Sequence, residues 1–153
     1  MRDTYMSSGL FSSRTDEWAT PQALYDELNR EFNFTLDPCA TSANAKCERY
    51  FTKEQDGLKQ SWIGEVVFCN PPYGKEMSKW VEKAHRESSG ATVVMLIPAR
   101  TDTRYFHEFI YQIHEVRFIK GRLRYNDGRG QSPFPSMIVV MRPSDTKDKG
   151  EKL

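Results

Sequence analysis

The stretch Glu65-Val66-Val67-Phe68-Cys69-Asn70-Pro71-Pro72-Tyr73 decides how this chain is read. An apolar run halted by two prolines is a strand that ends in a rigid elbow. Proline fixes φ, lacks an N–H and cannot extend a ladder. The next apolar run, Thr92 to Ile97, is continuous rather than alternating, as expected of a strand buried on both faces of a parallel sheet. Between the two runs, Met77, Trp80, Val81 and Ala84 repeat at helical spacing, and Gly90 closes the helix. Strand, helix, strand is the unit of an α/β fold.

The pattern continues on both sides. Thr20-Pro21 opens a helix, with Thr20 as cap, Pro21 in the first turn, and Leu24, Leu28 and Phe32 on one face. Phe34 to Asp37 is a short strand stopped by Pro38, and Tyr50-Phe51 is another candidate. Asp102 can cap a further helix with Phe106, Phe109, Ile110 and Ile113 inward. Val116–Ile119, Leu123–Tyr125 and Met137–Met141 read as the last strands, closing in a hairpin. The expected architecture is a minimal single α/β domain, its sheet mostly parallel with an antiparallel edge hairpin. Residues 1–14 are expected to be a flexible segment, residues 15–143 the folded domain, and residues 144–153 a disordered tail that is polar up to its final Leu153.

Composition narrows the function classes. A length of 153 residues suits one domain and leaves no room for a second of similar size. The net charge of +1 means that any nucleic-acid partner must be read from a local patch. No apolar run is long enough for a signal-peptide core or a membrane span, so a cytoplasmic protein is expected. Cys39, Cys47 and Cys69 read as free thiols of a reducing compartment. Cys39 and Cys47 are too widely separated for a zinc knuckle, and His85, His107 and His114 are scattered, so no metal is expected.

The chemistry lies at Asn70-Pro71-Pro72-Tyr73. Ligands of open α/β sheets bind beyond the carboxyl ends of strands. There the carbonyls of Asn70 and Pro71 and the side-chain oxygen of Asn70 are acceptors, and Tyr73 offers a flat ring. Such a set suits an exocyclic amine on a planar heterocycle. The lone pair of that nitrogen is delocalised and a poor nucleophile. Accepting both of its hydrogens pulls the nitrogen towards a tetrahedral shape, from which it can attack an activated methyl carbon. No carboxylate base is needed, because the proton becomes acidic only after transfer. A strand-ending turn with Tyr73 packed on a neighbour is the purely structural alternative.

Beyond these four residues the chain resembles the phage-type DNA N6-adenine methyltransferases. The likeness includes Asp16-Glu17-Trp18-Ala19-Thr20-Pro21, Phe34-Thr35-Leu36-Asp37-Pro38-Cys39-Ala40, Tyr50-Phe51-Thr52 and Asp56-Gly57-Leu58. It continues through Thr101-Asp102-Thr103, Phe106-His107, Gly121-Arg122-Leu123 and Pro133-Phe134-Pro135-Ser136. The resemblance implies a Rossmann-like fold, S-adenosylmethionine as donor and adenine in DNA, flipped from its stack, as acceptor. It implies that Asn70, Pro71, Pro72 and Tyr73 are catalytic. It further implies that Trp18, Thr20 and Pro21 touch the cofactor, that Asp37 takes the cofactor's amino group, and that Pro38, Cys39 and Ala40 also bind the cofactor. Asp37 as a plain turn cap is the alternative. Asp56 is the preferred ribose ligand, with Glu54 also at suitable spacing. Two departures from many methyltransferases stand out: no glycine-rich loop follows Asp37, only small residues such as Ala40, Ser42 and Ala43, a feature that the resembled family shares, and the length leaves little room for a base-recognition domain. The resemblance also implies a phage or prophage setting, hence a bacterial host cytoplasm.

Arg117, Lys120, Arg122, Arg124 and Arg129 form a basic run that reads either as a phosphate-binding hairpin or as a charged sheet edge. Phe134, between prolines, is a candidate wedge or a packed ring. Methylation of RNA or of a protein glutamine amide would suit the same elbow. A non-catalytic nucleic-acid-binding module is the alternative outside enzymes.

Overall fold

The computed structural model describes residues 18–128 and 130–146. The expected flexible segment 1–14, Arg129 and residues 147–153 lie outside them. The elements are α1 (Gln22–Phe32), a 3-10 turn (Gly57–Lys59), β1 (Val66–Cys69), α2 (Met77–Glu87), β2 (Thr92–Pro98), α3 (Arg104–Phe109), β3 (Glu115–Phe118), α4 (Tyr125–Gly128) and β4 (Ser136–Met141).

The sheet runs β1-β2-β4-β3. β1 and β2 are parallel, while β4 is antiparallel to both β2 and β3. The sheet is therefore mixed rather than mostly parallel. The continuous run of β2 correctly marks the buried centre, but burial on both faces does not require parallel neighbours on both sides. Beyond β1, isolated parallel bridges join Leu36 to Val67 and Asp37 to Tyr50. The Phe34–Asp37 segment thus lies beside β1, reduced to bridge contacts because Pro38 interrupts it.

Burial follows the apolar patterning. Val93 to Ile97, Val67 and Cys69 are fully buried, as are Met137 and Val139 to Met141. On α2 the stripe Met77, Trp80, Val81 and Ala84 is buried. On α1 Tyr25 and Leu28 are buried while Leu24 and Phe32 pack at the margin. Tyr25 meets Phe68 edge-on at 5.2 Å between centroids, an arrangement favoured by the ring quadrupoles.

Four local expectations are corrected. Leu123–Tyr125 is not a strand; Tyr125 begins α4, in the long connection between β3 and β4. The antiparallel edge pair exists, but its link is this connection and not a tight hairpin. α3 is capped by the Thr103 hydroxyl, which accepts from the Phe106 N–H at 3.4 Å, and not by the exposed Asp102. α1 has no side-chain cap: its N-cap position falls on Pro21, which has no polar side chain, and the hydroxyl of Thr20, one residue earlier, accepts from Asn70 instead. Past Pro143, where sequence patterning ends the folded body, Asp145 still accepts from His114 Nδ1 and from the Arg142 N–H, both at 2.8 Å.

Candidate active site

Chain order around the sheet locates the site. From the Leu36–Asp37 bridge the chain moves outward to Tyr50, then returns to the opposite side of that segment as β1. The connections diverge between Asp37 and β1, which is where an open α/β sheet forms a ligand crevice. Asp37 stands at one carboxyl end and Asn70 at the other.

Asn70 is held by two acceptors from a distant segment. Its Nδ2 donates to the Trp18 carbonyl and to Thr20 Oγ1, the latter at 2.9 Å. A backbone carbonyl can only accept, so this contact fixes which end of the amide is nitrogen. Oδ1 is buried and has no partner among the described residues. The Pro71 carbonyl likewise receives no hydrogen bond from them. An unmet buried acceptor is costly, and a persistent one points to a ligand. The Trp18–Thr20 segment is itself clamped. Ala19 N–H donates to Asn126 Oδ1 at 3.0 Å, and Asn126 N–H returns a bond to the Ala19 carbonyl at 2.9 Å.

A pocket of about 470 Å³ opens beside the elbow, with Trp18, Tyr73, Pro98, Arg100, Tyr105 and Phe134 in its walls. Phe134 is buried and meets Trp18 and Tyr73 edge-on, at 5.2 and 5.5 Å. It is therefore a wall and not an exposed wedge. Tyr73 is anchored through its hydroxyl, 3.2 Å from the Leu96 carbonyl and 3.1 Å from the Tyr125 hydroxyl, which in turn lies 2.9 Å from Ser136 Oγ. Burial pushes the Tyr73 phenol well above its usual range, so it stays protonated.

Asp37 is 5% exposed and is pushed up to about 6 by desolvation, against the bonds its carboxylate accepts from the N–H groups of Lys46 and Cys39, at 3.1 and 3.3 Å. It thus ties together the loop that follows it, as the turn-cap alternative anticipates. Asp56 accepts from the Leu58 N–H at 3.1 Å and caps the 3-10 turn, while Glu54 is exposed. The glycine missing after Asp37 has a counterpart arriving from farther along the chain. A Cβ on Gly57 would lie 2.0 Å from the Pro38 carbonyl, so only glycine permits the Asp56 turn to seat against the Asp37 loop. Pro38 and Ala40 are buried there and Cys39 half-buried.

The basic run is divided. Arg117 forms a two-pronged ion pair with Glu31 at 2.7 Å and also pairs with Glu115. Lys120, Arg122 and Arg124 are exposed. Cys39, Cys47 and Cys69 are not joined in disulfides, and burial raises the Cys69 and Cys47 thiols. No described helix is long and apolar enough to cross a membrane. Asn126 escaped the sequence reading, as did the anchoring of Tyr73 by Tyr125 and Ser136, since these contacts join distant segments and follow no local period.

Fold and site together define an α/β protein with a buried, unmatched amide acceptor beside an aromatic pocket at the carboxyl ends of its strands. Residues 7–150 match the family model of the DNA N-6-adenine-methyltransferases (Dam), and the chain belongs to that family. It is 32% identical to the DNA N-6-adenine-methyltransferase of Haemophilus phage HP1 over 86% of this chain and 81% of that protein. It is 28% identical to the protein of the same description from Escherichia phage T1, over 71% of this chain and 46% of that longer protein.

Proposed function

We propose that this chain transfers a methyl group from S-adenosylmethionine to the N6 amine of an adenine in DNA, the base being flipped into the pocket beside Asn70. The carrying observation is the unmatched Oδ1 of Asn70, held by two donated bonds to Trp18 and Thr20. An amine with two hydrogens completes that oxygen and the open Pro71 carbonyl. Tyr73, Trp18 and Phe134 provide aromatic surface for a flat base. Fixed acceptors aimed at a reacting nitrogen lower a barrier without reorganising during the reaction.

The donor fits the crevice at Asp37. An ammonium group would offset the desolvation that raises this carboxyl, and the oxygens holding the Lys46 and Cys39 amides retain lone pairs for it. When bound, S-adenosylmethionine supplies an activated methyl carbon. The chain's own residues position the amine, polarise its N–H bonds and exclude water. The sheet then reads as a reduced Rossmann-like sheet, with its crevice between the Asp37 segment and β1. Exposed Lys120, Arg122 and Arg124 are suited to phosphate contact, and Arg117 is left out of that set because of its carboxylate partners.

The test is incubation of the purified chain with isotopically methyl-labelled S-adenosylmethionine and unmethylated DNA, RNA or protein. Labelled N6-methyladenine in the nucleoside digest of DNA is the expected product. Label in RNA or in protein glutamine alone refutes the reading.

A further inference from the structure

Three large hydrophobic side chains are conspicuously exposed among the described residues: Ile63, Tyr111 and Phe118. Ile63 lies before β1, at the amino end of the sheet and away from the pocket, where it covers Gly90. Tyr111 stacks on Phe106 at 5.8 Å. Phe118 is different. At 63% it is the most exposed of the three, and it ends β3.

Register places Phe118 at the pocket's end of the sheet. Phe118 pairs with Met137, which pairs with Ile97, the residue before pocket-lining Pro98. Two strand spacings amount to roughly 10 Å, so Phe118 stands about half a DNA duplex width from the pocket wall. Cations outnumber the exposed acids Glu76 and Asp102 around it. Lys75 and Arg100 flank the pocket and Lys120, Arg122 and Arg124 follow Phe118 directly. All five are exposed, and no ion pair occupies them among the described residues. Arg49, Arg86, Arg104 and Arg117 each have a carboxylate partner, while exposed Arg30, Lys53 and Lys59 are likewise in no ion pair among the described residues, so it is the clustering of the five around the pocket and Phe118 that matters. An isolated exposed aromatic ring beside unpaired cations matches a polyanion that also offers stacked planes.

We infer that Phe118 is the wedge by which this chain opens duplex DNA, entering the base stack beside the target while Lys120, Arg122 and Arg124 hold the flanking phosphates. An inserted apolar side chain unstacks a base step and fills the space that an extruded base leaves. The inference rests on the adenine reading above. It adds the residue that performs the opening, a role Phe134 cannot take from inside the pocket wall.

The test compares the full chain with Phe118→Ala and Phe118→Trp on one unmethylated DNA, supplied as duplex and after heat denaturation. Phe118→Ala should lower kcat/KM on duplex about tenfold while changing the rate on denatured DNA less than about twofold, because a single strand needs no wedge. Phe118→Trp should preserve duplex activity. Thermal melting should show all three proteins equally folded, since the side chain is exposed. Unchanged duplex activity in Phe118→Ala, or an equal fall on both substrates, overturns the wedge. An equal fall accompanied by loss of a dimer in sedimentation assigns Phe118 to a contact between copies instead. Wild-type protein inert on both DNA forms refutes the adenine reading itself, an outcome distinct from a wedge failure.

Discussion

Thr20 and Asn70, fifty residues apart in the chain, are joined by a 2.9 Å hydrogen bond in which the amide of Asn70 donates to the hydroxyl of Thr20. That bond and its companion to the Trp18 carbonyl turn a freely rotating carboxamide into a fixed acceptor. Thr20 is thus a positioning residue. Thr20→Val keeps the shape and removes the acceptor. Turnover should fall by about tenfold, near the net value of one hydrogen bond, with little change in cofactor affinity. Thr20→Ser should restore the rate. Steady-state kinetics and calorimetric titration with S-adenosylmethionine check both halves.

Asn70→Ala removes the acceptor altogether. A loss of about a hundredfold to a thousandfold in kcat is expected, as for removal of one preorganised polar group at a reacting centre. Retention of near-normal turnover would refute the role given to this side chain.

Tyr73 separates ring from hydroxyl. Tyr73→Phe leaves Tyr125 bonded to Ser136 and keeps the aromatic surface, so activity should fall only severalfold and stability by about 1 kcal/mol. Tyr73→Ala empties a buried site and should cost about 3–5 kcal/mol of stability as well as most of the activity. Denaturant melts together with rates on DNA distinguish the two.

Asp37 predicts a pH dependence of cofactor binding. Its carboxyl sits near 6 in the folded chain, against 3.8 for a free group. Binding of an ammonium requires the ionised form, so affinity should weaken about tenfold per pH unit below 6, with one proton released to solvent on binding there. The folded state without cofactor binds more protons than the unfolded chain between pH 3.8 and 6. The contribution of Asp37 to stability is therefore fully present below 3.8 and lost as pH rises through 6, a change on the order of 3 kcal/mol. Isothermal titration at several pH values in buffers of different ionisation enthalpy measures the coupled proton.

His114 and His85 act in the opposite sense. The ring of His114 lies between Asp145, at 2.8 Å, and Nδ1 of His85, at 2.9 Å, and burial lowers both imidazoles from their usual 6.5. Their contribution to stability is present above pH 6.5 and lost as pH falls below it, because the unfolded chain takes protons first. His114→Gln should make stability less sensitive to pH just below 6.5, which chemical denaturation at stepped pH can follow.

The sequence by itself determined the elements whose signal is local. Two prolines ended β1 and fixed the elbow, helical spacing marked the buried face of α2, and unbroken aliphatic residues marked β2 as central. It also singled out Asn70 and Tyr73, because motif and placement after a strand coincide within a few residues. Tertiary structure alone decided what depends on partners distant in the chain. The antiparallel entry of β4 between β2 and β3 is invisible to hydrophobicity, since buried strands look alike whichever way their neighbours run. The hydroxyl of Thr20, a helix cap by local rule, falls one residue before the N-cap Pro21 and accepts from the amide of Asn70, fifty residues away. Arg117 and its exposed neighbours are equally basic in sequence, and only folding brought Glu31 to the first and left the others open. Local propensity is written over a few residues, whereas the pairing of a buried polar group or a charge is settled by whichever distant group the fold delivers to it.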